Sequence, residues 1–313
     1  MQRLRALGDV FRQAGIDWWK VKAPRLGAAL AYYTVLSLAP ILVIAIAVAG
    51  AVYGEEAARG ELVGQIRDLV GPQGAEAVQT MIANSAQGEA SLIATLIGLA
   101  VLVFSATVAF TELQDALNTI WGVQPKGSGG LLGLVRDRLL SFALVVAVGF
   151  LLLVSLIIST VLAAAGKYFG DLLPSWAPIL QLVHLAVSFA VITLLFALIF
   201  KVLPDVELSW RHVWIGAAMT ALLFVIGKSL IGLYLGQASI ASTYGAAGSL
   251  VVLLVWVYYS AQIMLYGAEF TRVYALRSHQ QPIPKRNAEA VTPEARAREG
   301  IPASPGWEPA AQR

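Results

Sequence analysis

The sequence predicts an all-α, polytopic membrane protein with six transmembrane helices, and three observations support this prediction. The 313 residues are 58% hydrophobic and only 13% charged, whereas soluble domains carry about 25% charged residues. Several apolar runs reach about 20 residues, the length that a helix needs to cross a bilayer. Lys and Arg are concentrated in alternate connecting segments, as expected for a chain that crosses a membrane repeatedly.

Residues 1–27 are predicted to form an amphipathic lead-in on the cytoplasmic face of the membrane. Six basic residues alternate there with apolar ones, and Trp18 and Trp19 are expected at the level of the lipid headgroups. The segment is not typical of a cleavable signal peptide, because the apolar run that follows is too long and lacks a small-residue cleavage site.

The transmembrane domain is predicted over residues 28–277. Pro40 falls inside its first helix and should kink that helix about one turn away. The last apolar run continues for more than twenty positions before Glu269 and gives the clearest signal. The six predicted spans are residues 28–53, 91–120, 139–165, 178–202, 213–236 and 246–270.

Two further segments differ from the spans in composition. Residues 54–90 contain six acidic and two basic residues, with apolar residues at helical spacing on both sides of Gly71-Pro72. This pattern predicts an extracytoplasmic pair of short amphipathic helices between the first two spans. Residues 278–313 are rich in Pro, Ala and charge, which predicts a disordered cytoplasmic tail.

The distribution of basic residues predicts the orientation. If both termini are cytoplasmic, eighteen of the 22 Lys and Arg residues lie in cytoplasmic segments and three lie outside, with Lys228 inside a span. The positive-inside rule therefore predicts a multi-pass protein of the inner (plasma) membrane with both termini in the cytoplasm. Since topology accounts for the basic cytoplasmic face, we expect no nucleic-acid partner.

Lys228 is the first candidate for a functional residue, because an ionisable group inside a bilayer costs about 2.5–3.5 kcal/mol on insertion scales. It lies fifteen residues into the fifth predicted span, about 22 Å from the inner boundary. One interpretation is that its ammonium group reaches the outer headgroups. The other is that it lines an internal cavity and binds a phosphate or carboxylate.

The second and sixth spans carry further polar residues near their predicted inner ends. Glu112 and Asp115 share one helical side with Asn118; we expect Asp115 and Asn118 at a solvated helix end and Glu112 towards the helix bundle. Gln262 and Glu269 lie on one stripe with Tyr266. Interhelical hydrogen bonds would account for such a stripe, and an ion pair of Glu269 with Arg211 or Arg272 is the favoured interpretation.

Two other sets of polar residues give weaker signals. His184 in the fourth span is more typical of a hydrogen-bonded packing residue than of a proton relay. Thr34 and Ser37 precede Pro40 at intervals of three residues, so they are candidates for a cavity opened by the kink. The neighbouring Tyr32 and Tyr33 fit an aromatic belt equally well.

The residue inventory argues against enzymatic and metal chemistry. The chain has no Cys, which excludes disulfides, zinc–thiolate sites and iron–sulfur clusters. Its three His residues are scattered and no clustered ligand motif occurs, although a metal nuclease needs one. We therefore expect no metal, no cofactor and no catalytic set, and the residues argue against ribonuclease activity.

Four stretches resemble the YihY/BrkB family of bacterial inner-membrane proteins. They follow the family's order along the chain, and WVYYSAQIMLYGAE at residues 256–269 is the most specific of them. The resemblance implies a six-helix membrane protein and supplies no catalytic residues; an older ribonuclease label of the family is not supported by the residues here. The four stretches are residues 28–40, 104–121, 203–216 and 244–269.

These features favour a protein that transports or handles a lipid or an anionic solute. Membrane lipids and an anionic lipid or solute are the expected partners, and the sequence leaves the oligomeric state open. The alternative is an envelope scaffold or assembly protein that does not transport, with the amphipathic segment 54–90 binding a partner. The candidate contact residues are Lys228, Glu112, Asp115, Gln262, Glu269, His184, Thr34 and Ser37.

Overall fold

The structure, a computed structural model, describes residues 2–37, 79, 108–126, 177–237, 248–278 and 282–298, and these are mostly helical. The helices are α1 (Gln2–Lys20), α2 (23–37), α3 (108–121), α4 (Ala177–Val202), α5 (Trp210–Gln237), α6 (Gly248–Arg277) and α7 (Pro293–Arg298). The strands are β1 (Val123–Pro125), β2 (Val206–Glu207), β3 (Ile283–Pro284) and β4 (Ala288–Ala290).

Three of the described helices are long and apolar enough to cross a membrane. The qualifying segments are Leu185–Val202 of α4, Trp210–Tyr234 of α5 and Leu250–Arg277 of α6. They coincide with the spans predicted at 178–202, 213–236 and 246–270, which confirms those three as helices. Their sequences contain uninterrupted apolar runs, and a helix satisfies every backbone polar group within such a run.

The other predicted segments are described only in part. Helix α2 covers the beginning of the span predicted at 28–53, and α3 covers the end of the one predicted at 91–120. The span at 139–165, the kink at Pro40 and the outer segment 54–90, apart from the helical Gln79, lie outside the described residues. The lead-in is a helix, α1, which ends at a turn where Lys22 has a φ of 56°.

The prediction of a disordered tail from residue 278 is wrong for residues 282–298. There β3 pairs antiparallel with β2, and β4 pairs antiparallel with β1. Arg296 of α7 is only 5% exposed, and its guanidinium lies within 3.5 Å of the carbonyl oxygen of Thr119, near the end of α3. The polar composition is compatible with this order because the backbone of β3 and β4 pairs with β2 and β1, and such pairing does not depend on apolar side chains.

The chain forms two compact units whose boundaries fall inside helices. Unit 1 comprises Met1–Asp17, Leu117–Leu223 and Tyr266–Arg313, and unit 2 comprises Trp18–Ala116 and Phe224–Leu265. In unit 1, Val10 and Ala14 of α1 pack on Phe270 and Val273 of α6. In unit 2, Ile231 of α5 and Val252 of α6 form a buried pair, and partly buried aromatic side chains surround them.

Within unit 1, α5 and α6 approach each other closely at two reciprocal contacts. A Cβ added at Gly216 would lie 1.8 Å from the Thr271 hydroxyl, and one added at Gly267 would lie 1.9 Å from the Thr220 hydroxyl. Each Thr hydroxyl donates to the carbonyl four residues earlier in its own helix, at 2.7 Å. Each glycine thus leaves room for the threonine of the other helix. Such contacts between small residues are typical of helices that pack together in lipid.

Candidate functional site

Arg272 connects α6 to the lead-in helix α1 through two carboxylates. Its Nε donates to Glu269 Oε2 at 2.8 Å, and its Nη2 donates to Asp17 Oδ2 at 3.0 Å. Glu269 and Arg272 are three residues apart on one helix, so they share a helical side. The predicted ion pair of Glu269 with Arg272 is therefore present, and Asp17 extends it into a three-residue cluster that we call the ionic cluster.

The ionic cluster is almost completely shielded from solvent. The side chains of Glu269, Arg272 and Asp17 are 0%, 2% and 7% exposed. Asp17 uses both of its oxygens, since Oδ1 also accepts from Gln13 Nε2 at 2.9 Å. Glu269 Oε1, in contrast, is buried and has no hydrogen-bond partner among the described residues. A buried oxygen in that state is costly, most of all if it carries charge.

Neighbouring contacts hold α1 in place beside the ionic cluster. The Tyr266 hydroxyl donates to the Phe11 carbonyl at 3.0 Å, and the Phe11 ring lies 4.9 Å from that of Phe270. Because α1 places Val10, Ala14 and Asp17 on one side at intervals of three or four residues, the apolar contact and the ion pair form together. Apolar packing and charge thus fix the lead-in to the Arg272 end of α6.

A second polar contact in unit 1 joins α3 to the loop after α4. Asn118 Nδ2 donates to Asp205 Oδ2 at 2.9 Å, and the Asp205 backbone N–H donates back to Asn118 Oδ1 at 2.8 Å. Both residues are buried, at 3% and 5% exposure. The prediction that Asn118 belongs to a solvated helix end is therefore wrong, because a reciprocal pair satisfies its amide away from solvent.

Gln262 of α6 is the most unusual polar side chain of unit 2. Both its Nε2 and its Oε1 are buried, and neither has a hydrogen-bond partner among the described residues. The amide lies directly against α2, where a Cβ added at Gly27 would come within 2.0 Å of Nε2. An amide that is buried without a hydrogen-bond partner costs about 1–3 kcal/mol by mutational measures.

Lys228 of α5 also belongs to unit 2 and is partly buried. The exposed side of α5 carries Ile226, Leu230 and Leu233, which are 51%, 57% and 63% exposed. At about 100° per residue, Lys228 lies on the opposite side of the helix, close to that of the buried Ile231. This placement favours the interpretation in which Lys228 points into the protein.

The remaining predicted site residues differ in their surroundings. Ser37 is buried and its hydroxyl donates to the Thr34 carbonyl at 2.9 Å, so it is satisfied within α2. Glu112 is partly buried and Asp115 is exposed. The side chain of His184 lies outside the described residues.

Sequence reasoning missed Asp17, although a signal was present. It is an acidic residue on the side of α1 that carries Val10 and Ala14, where an amphipathic helix otherwise places apolar residues. An acid in such a position indicates a buried partner. Among the residues that the structure describes, no three His, Cys, Asp or Glu side chains group closely enough to hold a metal ion.

Long apolar helices together with buried polar groups define an integral membrane protein. The profile of the family described as "Virulence factor BrkB" matches residues 16–292. The chain therefore belongs to that family, which agrees with the resemblance in its sequence. Neither the family description nor the names of the relatives below state an enzymatic activity.

The chain is also similar to curated proteins described as "UPF0761 membrane protein". The relative from Pseudomonas paraeruginosa is 29% identical over 84% of this chain and 63% of its own length. Those from Pseudomonas aeruginosa LESB58 and Verminephrobacter eiseniae are each 30% identical, over 79% and 80% of this chain and 58% and 59% of their own lengths. The chain thus spans about three fifths of these relatives. No solved structure matches it.

Proposed function

We propose that the protein transports or handles an anionic lipid or anionic solute across the bacterial inner membrane, as a multi-pass protein with six spans and both termini in the cytoplasm. The observation that carries this proposal is the buried amide of Gln262, whose donor and acceptor atoms lack partners among the described residues. A polar substrate that passes through the protein would supply such partners.

Lys228 supports the anionic character of the substrate. Lys228 is a partly buried cation on the packed side of an apolar helix, a position from which a lysine can bind an anion. A lipid phosphate and a free carboxylate or phosphate would each accept hydrogen bonds from it. The membrane character of the family and of its relatives agrees with either substrate.

The experiment is a flux assay on the full chain in liposomes. One set of vesicles contains fluorescently labelled phosphatidylglycerol, whose movement between leaflets is followed by chemical quenching, and a second set encloses a fluorescent organic anion. We expect the wild type to accelerate one of the two processes. Gln262→Leu should reduce the rate about fivefold or more, since one hydrogen bond contributes about 1 kcal/mol.

Two variants sharpen this test. Gly27→Ala keeps the Gln262 side chain but displaces its amide, so it should reduce the rate as well. Ser229→Ala is the matched control, because this exposed hydroxyl donates to the Val225 carbonyl of its own helix. A correctly folded wild type that moves neither probe contradicts transport and favours the scaffold alternative.

A further inference from the structure

The start of α5 presents two tryptophans on the surface of the protein. Trp210 and Trp214 are 48% and 43% exposed, lie one helical turn apart, and have ring centroids 6.5 Å from each other. The apolar segment Trp210–Tyr234 begins at the first of them. Tryptophan at the end of such a segment belongs at the level of the lipid headgroups, where its ring contacts apolar chains and its N–H contacts polar groups.

Two basic residues lie beside this pair. The Lys201 ammonium group, at the end of α4, lies 5.5 Å from the centre of the Trp210 ring and also donates to the Leu208 carbonyl. Arg211 follows Trp210 in the chain and is exposed. The expected headgroup level of α5 therefore carries two cations together with two amphipathic rings.

The same side of α5 continues as an apolar surface. At about 100° per residue, Leu222 lies within about 20° of Arg211 around the helix, and Trp214 lies within about 60° of it. Leu222 is 46% exposed. It lies about 17 Å further along the helix axis, close to the depth of one leaflet of a hydrocarbon core about 30 Å thick. An exposed guanidinium thus lies at the end of an apolar surface about as long as one leaflet is deep.

We propose that Lys201, Trp210, Arg211 and Trp214 form a binding site for the headgroup of an anionic phospholipid, with one acyl chain along α5 towards Leu222. The planar guanidinium of Arg211 presents a fork of donors that matches phosphate oxygens, and Lys201 adds a second positive charge. A free phosphate would leave the tryptophan rings and Leu222 uncovered, whereas a lipid covers them. These residues all belong to unit 1, and the site does not depend on the protein being a transporter.

The charge of this surface favours an anionic lipid over a zwitterionic one. Of the two acids in the loop between α4 and α5, Asp205 is buried and bonded to Asn118, whereas Glu207 is exposed in β2. Two bases thus accompany one accessible acid. A zwitterionic headgroup brings its own cation to this positive surface, and an anionic headgroup does not. We therefore expect a preference of about fivefold, the usual effect of one basic residue at an anionic lipid surface.

Photolabelling of the full chain in liposomes tests the site. The vesicles consist of phosphatidylcholine with a trace of phosphatidylglycerol that carries a photoreactive group in one acyl chain, and mass spectrometry identifies the labelled peptides. We expect a label in the peptide that contains Trp214 and Leu222. Unlabelled phosphatidylglycerol should displace the probe about fivefold more effectively than phosphatidylethanolamine, and inorganic phosphate should not displace it.

Three results of this experiment would overturn the proposal. Absence of label from that peptide would show that no lipid binds there. Equal displacement by the two lipids would mean that the tryptophans form an ordinary aromatic belt without a headgroup site. Displacement by inorganic phosphate would assign the bases to a free anion instead of a lipid.

Variants identify the residues that hold the headgroup. Arg211→Gln should reduce labelling of the peptide about fivefold, and Trp214→Ala should reduce it as well. Arg286→Gln is the control, because it removes the same charge from an exposed position between β3 and β4, and it should leave the labelling unchanged. Equal losses in Arg211→Gln and Arg286→Gln would show only a general attraction of charge and refute the site. If a variant fails to insert, the competition experiment on the wild type still decides, and because neither readout measures flux, failure of transport would leave the result intact.

Discussion

Lys228 gives a prediction that separates the two interpretations of its position. If it contacts an anionic substrate, Lys228→Met should lower flux in liposomes about tenfold or more, since a charge-assisted hydrogen bond contributes about 1.5–3 kcal/mol. Membrane insertion should be unchanged, because Met suits an apolar helix. Arg25→Met, at an exposed base of α2, is the control. Full activity of Lys228→Met would instead support the interpretation that the ammonium group reaches the headgroups.

Glu269 and Arg272 illustrate how far individual side chains could be predicted from the sequence. Their pairing follows from a spacing of three residues on one helix, which any helical segment brings together. The second partner of Arg272, Asp17, is 255 residues away, so only the folded chain reveals it. The prediction for Asn118 is wrong for the same reason, because its partner Asp205 is 87 residues away.

The contact between α5 and α6 rests on glycines that have no room for a side chain. We expect Gly216→Ala and Gly267→Ala each to destabilise the protein by roughly 1–3 kcal/mol, the usual cost of overfilling a packed interface. This loss of stability should appear as a lower Tm in thermal unfolding in detergent, which is monitored through the disappearance of the monodisperse peak. The loss arises because a Cβ added at either position would lie within 2 Å of a threonine hydroxyl unless the helices moved apart.

Gly232 provides the control for these two substitutions. It lies in the same helix, α5, and a Cβ added there would meet nothing within 4 Å among the described residues. Gly232→Ala should therefore leave Tm unchanged or raise it slightly, because Ala favours a helix over Gly by about 1 kcal/mol. An equal loss of stability in all three variants would contradict the close packing and indicate a general sensitivity to glycine replacement.

The C-terminal segment 282–298 acts as a clasp on the loops that follow α3 and α4. Its strands pair with β1 and β2, and Lys285 donates from its backbone N–H to Asp205 at 2.9 Å and from Nζ to Val202 at 3.0 Å. Deletion of residues 279–313 should therefore lower Tm. We expect a loss of about 3 kcal/mol or more, because several hydrogen bonds of about 1 kcal/mol each disappear together.

A shorter deletion separates the clasp from the rest of the tail. Removing residues 300–313 leaves both strand pairs and α7 in place, so Tm should stay close to that of the full chain. If the longer deletion also leaves Tm unchanged, the clasp contributes nothing to stability. The substitution Gly122→Ala tests the contact between α7 and the loop after α3, since Gly122 has a φ of 66° and lies against the Arg296 guanidinium.

Hydropathy predicted the long helices well and the short strands not at all, for a physical reason. The helices α4, α5 and α6 are specified by apolar runs within each segment, so their positions can be read locally. The strands β3 and β4 contain two and three residues, too few for an alternating pattern. They exist because partners far away in the sequence offer unpaired backbone groups.

The division of the whole chain into two units could not be predicted from hydropathy either. Its boundaries fall within α1, α3, α5 and α6, whereas sequence-based domain boundaries are sought in linkers rich in Pro, Gly or polar residues. The interiors of helices carry no such signal. The ionic cluster and the clasp both belong to unit 1, and the Gln262 amide and Lys228 both belong to unit 2.

The orientation of the whole molecule follows from its basic residues and can be tested because the chain contains no Cys. Single-cysteine variants therefore need no altered background. With a membrane-impermeant maleimide applied to spheroplasts, Gln79→Cys in the predicted outer segment should be labelled at once. Glu289→Cys, at an exposed position of β4, should be labelled only after lysis. Because eighteen of the 22 basic residues occupy segments assigned to the cytoplasm, the reverse pattern would contradict the positive-inside rule and, with it, the six-span topology.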